Sequence, residues 1–346
     1  MPTFSALYLH ELATNLLAAA GVSREEAAIN AEGLIGANLR GHDSHGVMRL
    51  PSYVKMIEIK EAIPGQKLTI LEEGPSRLAA DGNWGLGRTL ALELTNRLIA
   101  KAKESGLAAG TILHASHVGR LGDYCELATD QGFVALMTVN SHGAVHRVAP
   151  PGGTTSRLST NPIAFAAPHP SGALICDFST SATAEGKVRV KRIAGDQCPE
   201  GWLIDSNGRP TTNPNDLYNG GAILPMGGPQ MYKGFGLALM VEILSGALAG
   251  GLCSREKPQT QIGNCVFLLL INPAGFGGAE CFAKEVDGLI QWVRSCPTAA
   301  GVDRIVLPGD PERQVLAERS AKGIPLDEEN WKQIADLAKR LNVPLK

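Results

Sequence analysis

The sequence predicts an α/β protein, with a sheet-containing segment in the middle of the chain and a helical segment built from both ends. Three observations predict it. Both ends carry apolar residues at helical spacing. The stretch between holds short apolar runs bounded by Gly, Pro and Asn, which read as strands. Helical patterns separate several of those runs, so sheet and helices alternate along the chain.

At the N-terminus Leu9, Leu12 and Leu16 share one helical face, and Gly21 is placed to end that helix. Ser23 and Glu26 have the spacing of a capping box, which starts a second helix with Ala27, Ala31, Leu34 and Ile35 on one face. That helix runs into the polar sequence Arg40-Gly-His-Asp-Ser-His-Gly, a candidate site at the mouth of a helical hairpin. From Gly74 onward the apolar runs 111–114, 133–139, 163–167, 173–178, 265–271 and 304–307 are expected strands. Helical patterns cover 88–104, 121–130, 233–248 and 280–296. The Gly- and Pro-rich stretch 194–228 reads as turns, and a last helix near 328–341 is placed to fold back on the first two. The expected division is residues 1–73 with 313–346 as a helical domain and 74–312 as the sheet domain.

The composition narrows function. The chain has 346 residues, 44% apolar and 19% charged, ample for a large core and lean enough in charge that part of the surface is expected to be covered in an oligomer. With 32 basic and 34 acidic residues and no long basic run, nucleic acid is a poor partner. The segment 234–253 is long and apolar but contains Glu242 and several glycines, so it reads as a buried helix rather than a membrane span. The N-terminus lacks the basic start of a signal peptide. Seven scattered cysteines without a Cys-x-x-Cys pair fit reduced thiols in a cytoplasmic protein.

Common cofactor signatures are missing. The nearest approach to Gly-x-Gly-x-x-Gly is Gly85-Leu-Gly87 after an expected strand at 77–80, and it lacks the third glycine and the acidic residue that ends the next strand. Six of eight histidines fall in close pairs: His42 and His45, His114 and His117, His142 and His146. Such pairs suit a metal, as in a zinc or manganese hydrolase, or surface and capping roles, or proton transfer. Arg49, four residues after His45, favours proton transfer beside a carboxylate, because its fork binds carboxylates bidentately next to a neutral imidazole.

Seven motifs occur in order along nearly the whole chain: GHDSHGVMRLPSYV from Gly41, HASHVGRLGDY from His114, TNPIAFAAP from Thr160, DFSTSATAEGKVRV from Asp177, LIDSNGRPTTNP from Leu203, YKGFGLALMVEILSG from Tyr232 and LPGDPE from Leu307. Together they resemble the malate/L-lactate dehydrogenase family, whose cofactor domain is not a Rossmann fold. The resemblance implies a mixed, largely antiparallel sheet domain. It implies NAD(P)-dependent interconversion of a 2-hydroxy acid and a 2-oxo acid, or reduction of a cyclic imino acid, in a homodimer. NAD is favoured over NADP, no metal is expected, and the partner is a small 2-oxo or 2-hydroxy carboxylate, with no membrane involved.

Carried over by motif, the resemblance makes His45 the proton donor and a cofactor contact, Arg49 the carboxylate clamp, His117 a second acid/base or substrate contact, and Ser44 the group that orients His45. Cofactor positions are Gly119, Arg120 and Leu121, the strand end Ile175, Cys176, Asp177, Phe178 and Ser179, then Tyr232, Asn264, and the turn Gly309, Asp310, Pro311 and Glu312. Two places depart from the family. Tyr232-Lys-Gly-Phe-Gly stands where many members have His-Lys-Gly-Tyr-Gly, and 140–147 carries His142, His146 and Arg147 where relatives are more apolar. Arg147 suits an extra negative or polar group on the substrate.

Overall fold

The computed structural model describes residues 1–258 and 260–345. A short strand β1 (Thr3–Phe4) leads into helix α1 (Ala6–Ala19), capped where Ser5 Oγ accepts from Tyr8 N. Helix α2 (Arg24–Leu39) is capped by Ser23 Oγ on Glu26 N. In place of closing the capping box, the Glu26 carboxylate accepts from Gly65 N at 2.8 Å and ties α2 to the loop before the sheet. Two single turns then lead to α3 (Leu50–Glu58).

The central sheet has seven strands: β2 (Thr69–Glu73), β3 (Arg77–Gly85), β4 (Leu107–Ala115), β5 (Val134–Asn140), β6 (Pro162–Ala167), β7 (Leu174–Ser179) and β11 (Asn264–Ile271), in the order β2-β3-β4-β11-β5-β6-β7. The one parallel pair is β3 with β4, joined by the crossover helix α4 (Gly87–Ser105); the other neighbours are antiparallel. Helix α4 and α5 (Gly122–Thr129) close one face, burying Leu90, Leu94 and Leu98 with Tyr124, Cys125 and Ala128 against Ile112, Met137, Val266 and Leu268. The incomplete glycine fingerprint Gly85-Leu-Gly87 lies at the β3–α4 junction of the parallel unit. A Cβ at Gly87 would lie 2.3 Å from Ser116 O, so that glycine serves a close backbone approach and not a phosphate.

Beyond the sheet come α6 (Glu185–Ala194), the small strands β8 (Leu203–Ile204), β9 (Pro210–Thr211) and β10 (Ala222–Ile223), α7 (Tyr232–Val241), α8 (Ala279–Arg294), α9 (Asp310–Lys322), β12 (Ile324–Pro325) and α10 (Glu328–Arg340). β12 pairs with β1, and Ile334, Leu337 and Ala338 of α10 share one core with Leu9, Leu12 and Leu16 of α1.

Several expectations are corrected. Residues 304–307 form no strand: Leu307 N donates to Asp310 Oδ2 instead of a ladder, and Val306 faces solvent. The 194–228 stretch is not only turns, since β8, β9 and β10 form a sheet there. The apolar helix at 234–253 ends its α-geometry at Val241, continues as a π-turn over Glu242–Ala247, and is buried on one face only, leaving Met240, Ile243 and Leu248 exposed. The sheet begins at β2, ahead of residue 74, and the 309–312 turn continues into α9.

Candidate active site

The polar segment after α2 is held by one side chain that sequence reasoning passed over. Asn38, fully buried, donates through Nδ2 to Asp43 Oδ1 at 2.6 Å and accepts through Oδ1 from Val47 N at 2.8 Å. Arg319 of α9 ion-pairs with Asp43 from the other side. A Cβ on Gly46 would lie 2.2 Å from Asn38 Oδ1, so only glycine lets the loop close over Asn38. The loop so fixed presents Ser44, His45 and Arg49.

Ser44 Oγ lies 3.0 Å from His45 Nδ1. Arg49 donates through Nε to Ser44 O at 2.8 Å, and its terminal nitrogens make no ion pair among the described residues. His117, in the loop after β4, has Nδ1 2.7 Å from Tyr53 Oη. The rings of His45 and His117 stack with centroids 5.5 Å apart. Burial, then the Arg49 charge, holds the His45 imidazole down to about 3, and the same two causes in that order hold His117 well below the usual imidazole range. Both rings are therefore neutral near pH 7.

These groups line one cavity of about 270 Å³. Its walls are Val118, Gly119 and Leu121 after β4, Val139 and Asn140 with Ser141, Val145 and Arg147 at the end of β5, Ser159, Thr160 and Pro162 before β6, Ala184, Glu185 and Gly186 at the start of α6, and Ile262, Gly263 and Asn264 before β11. The π-turn pins two of these walls. Glu242 Oε2 accepts from Asn140 Nδ2 at 2.9 Å and from Ser254 N at 3.0 Å, while Oε1 accepts from Asn161 Nδ2 at 3.0 Å and Ser254 Oγ at 2.8 Å. Asn161 holds a left-handed φ of 38° between the wall residues Thr160 and Pro162. π-turns frequently mark functional sites, and this one aims a buried carboxylate at two strand ends.

Of the expected site residues, the cavity gathers Ser44, His45, Arg49, His117, Gly119, Leu121 and Asn264. Asn264 acts there as a brace: Oδ1 accepts from Val118 N, and Nδ2 donates to Asn140 O and Gly263 O. Arg120 is buried beside the cavity, its Nη1 on Asp123 and Glu126 and its Nε 3.8 Å from Asp177. The strand end Ile175, Cys176, Asp177, Phe178 and Ser179 and the turn Gly309, Asp310, Pro311 and Glu312 lie outside the cavity but against each other, with Ile175 N donating to Pro308 O. Asp177 Oδ2 accepts at 2.7 Å from Gly122 N, next in the chain to the wall residue Leu121, and Glu312 pairs with His42. Tyr232 is largely exposed and is not brought to the cavity.

The histidine pairs separate. His42 faces Glu312, His114 lies 3.1 Å from Asp81, and His142 Nδ1 lies 3.0 Å from Cys265 Sγ. Among the described residues, no group of three His, Cys, Asp or Glu side chains is placed to hold a metal ion. Nor is any described helix long and apolar enough to cross a membrane. Sequence reasoning also missed Tyr53, although His45, Arg49 and Tyr53 recur every four residues.

The cavity fits a nicotinamide ring on the structure's own terms. Val118, Leu121, Val139 and Ile262 supply apolar wall beside two imidazoles, and Gly119 turns the chain with φ 81°.

A mostly antiparallel sheet carrying paired imidazoles and a guanidinium in one cavity is an architecture unlike the Rossmann dehydrogenases. The chain belongs to the malate/L-lactate dehydrogenase family, whose pattern matches residues 4–335. It is 36% identical to hydroxycarboxylate dehydrogenase B of Escherichia coli K12 over 99% of this chain and 95% of that protein. The malate dehydrogenase structure from Pyrococcus horikoshii superposes with a TM-score of 0.90 at 32% identity, covering 99% of this chain and 96% of the other. The Δ1-piperideine-2-carboxylate reductase from Pseudomonas syringae superposes with a TM-score of 0.85 at 30% identity, over 98% and 100% of the chains.

Proposed function

We propose that the chain interconverts a 2-hydroxy acid and a 2-oxo acid with a nicotinamide cofactor, using His45 as proton donor and acceptor. The observation that carries this reading is the stacked His45 and His117 pair in one cavity with the Arg49 guanidinium, whose terminal nitrogens make no ion pair among the described residues. Arg49 takes the substrate C1 carboxylate bidentately, which fixes the neighbouring C2 oxygen against the imidazoles. That carboxylate also offsets the Arg49 charge, which after burial is the second cause that depresses both rings, and so raises the imidazole's hold on a proton. His45 then passes a proton to the C2 oxygen in reduction and takes it back in oxidation, with Ser44 holding its Nδ1. His117 hydrogen-bonds the same oxygen. When bound, the cofactor supplies the hydride to C2 or accepts it.

Gly119, Leu121 and the apolar wall would hold the nicotinamide end, and the strand end 175–179 with the turn 309–312 the remainder. We favour NAD. Glu312, held below the usual carboxylate range chiefly by its hydrogen bond to His42, is an anion that accepts from a ribose hydroxyl and repels a 2′-phosphate. The exposed Met240, Ile243 and Leu248 suit a homodimer, and the seven free thiols suit the cytoplasm.

The test follows NADH and NADPH oxidation against a panel of 2-oxo acids and cyclic imines, with and without chelator. Turnover with a 2-oxo acid that survives chelation is expected. Turnover with cyclic imines alone would move the reading to an imino-acid reductase, and loss of activity in chelator would move it to a metal enzyme.

A further inference from the structure

We propose that one buried water joins Arg120 to Tyr53, and that Arg120 is thereby a positioning residue that fixes the His117 ring proton on Nε2 for the substrate oxygen. The catalytic consequence rests on the dehydrogenase reading above. His45 also borders a second, small cavity of about 10 Å³, whose walls include Asn30, Leu34, Tyr53, Arg88 and Arg120. That is room for one water and no larger ligand. Most polar groups on these walls are committed. Asn30 Nδ2 donates to Glu26 O and Thr89 Oγ1, Arg88 donates to Ile29 O and Asp123, and Tyr53 Oη meets His117 Nδ1 at 2.7 Å. Arg120 differs. Its Nη1 donates to Asp123 and Glu126 at 2.8 Å each, but Nη2 and Nε have no hydrogen-bond acceptor among the described residues, with Asp177 3.8 Å from Nε. The side chain is 1% exposed, so bulk solvent does not satisfy them either. A buried guanidinium with free N–H groups is costly, and a polar cavity of one water's size beside it supplies the acceptor.

The direction of the resulting chain follows from the donors and acceptors in it. A guanidinium only donates, so the water accepts from Arg120 and keeps its own protons to give. One goes to a lone pair of Tyr53 Oη, which commits the phenol proton to His117 Nδ1. The His117 ring then carries its proton on Nε2, the nitrogen that Tyr53 does not hold, and donates it to the C2 oxygen of the substrate. Without the chain the phenol is free to turn and accept from Nδ1–H. The ring then presents a lone pair to that oxygen and repels it.

Nitrogen NMR of histidine-labelled protein reads the neutral tautomer of His117 directly, with the resonances assigned by their loss in His117→Gln. The wild type is expected to show the Nε2–H form, and a crystal structure a water within about 3 Å of both Arg120 and Tyr53 Oη. Arg120→Lys, which keeps a cation that only donates, is expected to retain part of the tautomer preference. Arg120→Met is expected to lose it, with kcat about five-fold lower and KM nearly unchanged. Because Arg120→Met strands Asp123 and Glu126, thermal melting accompanies it, and Leu34→Phe supplies a second route by filling the cavity with Arg120 in place. The folded Leu34→Phe variant is expected to show mixed tautomers. An Nδ1–H form in the wild type, a dry cavity, an unchanged tautomer in folded Leu34→Phe or Arg120→Met, or a change confined to the KM of NAD(P)H would overturn the proposal. The spectra and the crystal structure need no turnover, so a protein inactive with every 2-oxo acid would overturn the dehydrogenase reading while the tautomer still decides the role of Arg120.

Discussion

Tyr53 Oη lies 2.7 Å from His117 Nδ1, and this is the phenol's one hydrogen bond among the described residues. Burial pushes the Tyr53 hydroxyl up to about 12, so it keeps its proton; in the tautomer where it donates that proton to Nδ1, the His117 ring proton sits on Nε2. Tyr53→Phe removes the donor and frees the tautomer. It is expected to lower kcat by about ten-fold with little change in KM, and to destabilise the fold by about 1 kcal/mol. Unchanged kcat across the pH range would remove Tyr53 from the positioning of His117.

His45 and His117 share a cavity, yet their supports differ: Ser44 holds one and Tyr53 the other. If His45 carries the proton, His45→Ala should lower kcat by about two orders of magnitude or more, the scale of a positioned acid or base. His117→Ala should cost less, and the double variant little more than His45→Ala alone. A His45→Ala variant with near wild-type turnover, measured by NAD(P)H oxidation, would transfer the role to His117.

The depressed imidazole gives a pH prediction with a definite sign. In the free protein His45 should titrate at about 3, and Arg49→Gln, by removing a cation, should raise that value. Because the folded value lies below the unfolded value of about 6.5, protonation favours the unfolded chain. This part of the stability is present above about pH 6.5 and is lost as pH falls towards the folded value. NMR titration of the imidazole resonances checks it, and a His45 midpoint near 6.5 in the free protein would contradict the burial argument.

The sequence made the helical ends, most strands of the sheet and the His45, Arg49 and His117 grouping legible, because each rests on local spacing or on motifs. What it hid was long-range. Asn38 looks like an ordinary helix residue until Gly46 and Val47 fold onto it, and Glu242 looks like an interruption in an apolar helix until Asn140 and Asn161 arrive from two strands. Arg120 was misleading for the same reason: its carboxylate partners Asp123, Glu126 and Asp177 converge on it only in three dimensions. The strand expected at 304–307 had the right composition but no neighbouring edge to pair with.

Gly46 is a second place where packing decides. Its backbone φ of −87° is open to any residue, so the constraint is the Asn38 side chain, 2.2 Å from where a methyl group would sit, and not backbone strain. Gly46→Ala is expected to cost about 1–3 kcal/mol and to reduce activity by displacing His45. Adding Asn38→Ala should restore part of the loss in stability while leaving activity low, since Asp43 and Val47 lose their brace. Strict additivity of the two variants in thermal melting would contradict the coupling.

Glu242 supplies the most demanding prediction, because its two oxygens accept from four donors and no lysine or arginine pairs with it among the described residues. In Glu242→Gln an amide nitrogen replaces one oxygen and confronts at least one N–H donor, Asn161 Nδ2 at the Oε1 position or Asn140 Nδ2 and Ser254 N at the Oε2 position, so at least one buried hydrogen bond is lost. The expected cost is about 2–4 kcal/mol, read as a lower denaturation midpoint. Since Asn140 and the strand start at Asn161 form cavity walls, the folded variant should also show a raised substrate KM with a smaller fall in kcat. A variant with lowered stability but unchanged KM would reduce Glu242 to a purely structural group, and one with wild-type stability would show that the four hydrogen bonds do not hold these walls.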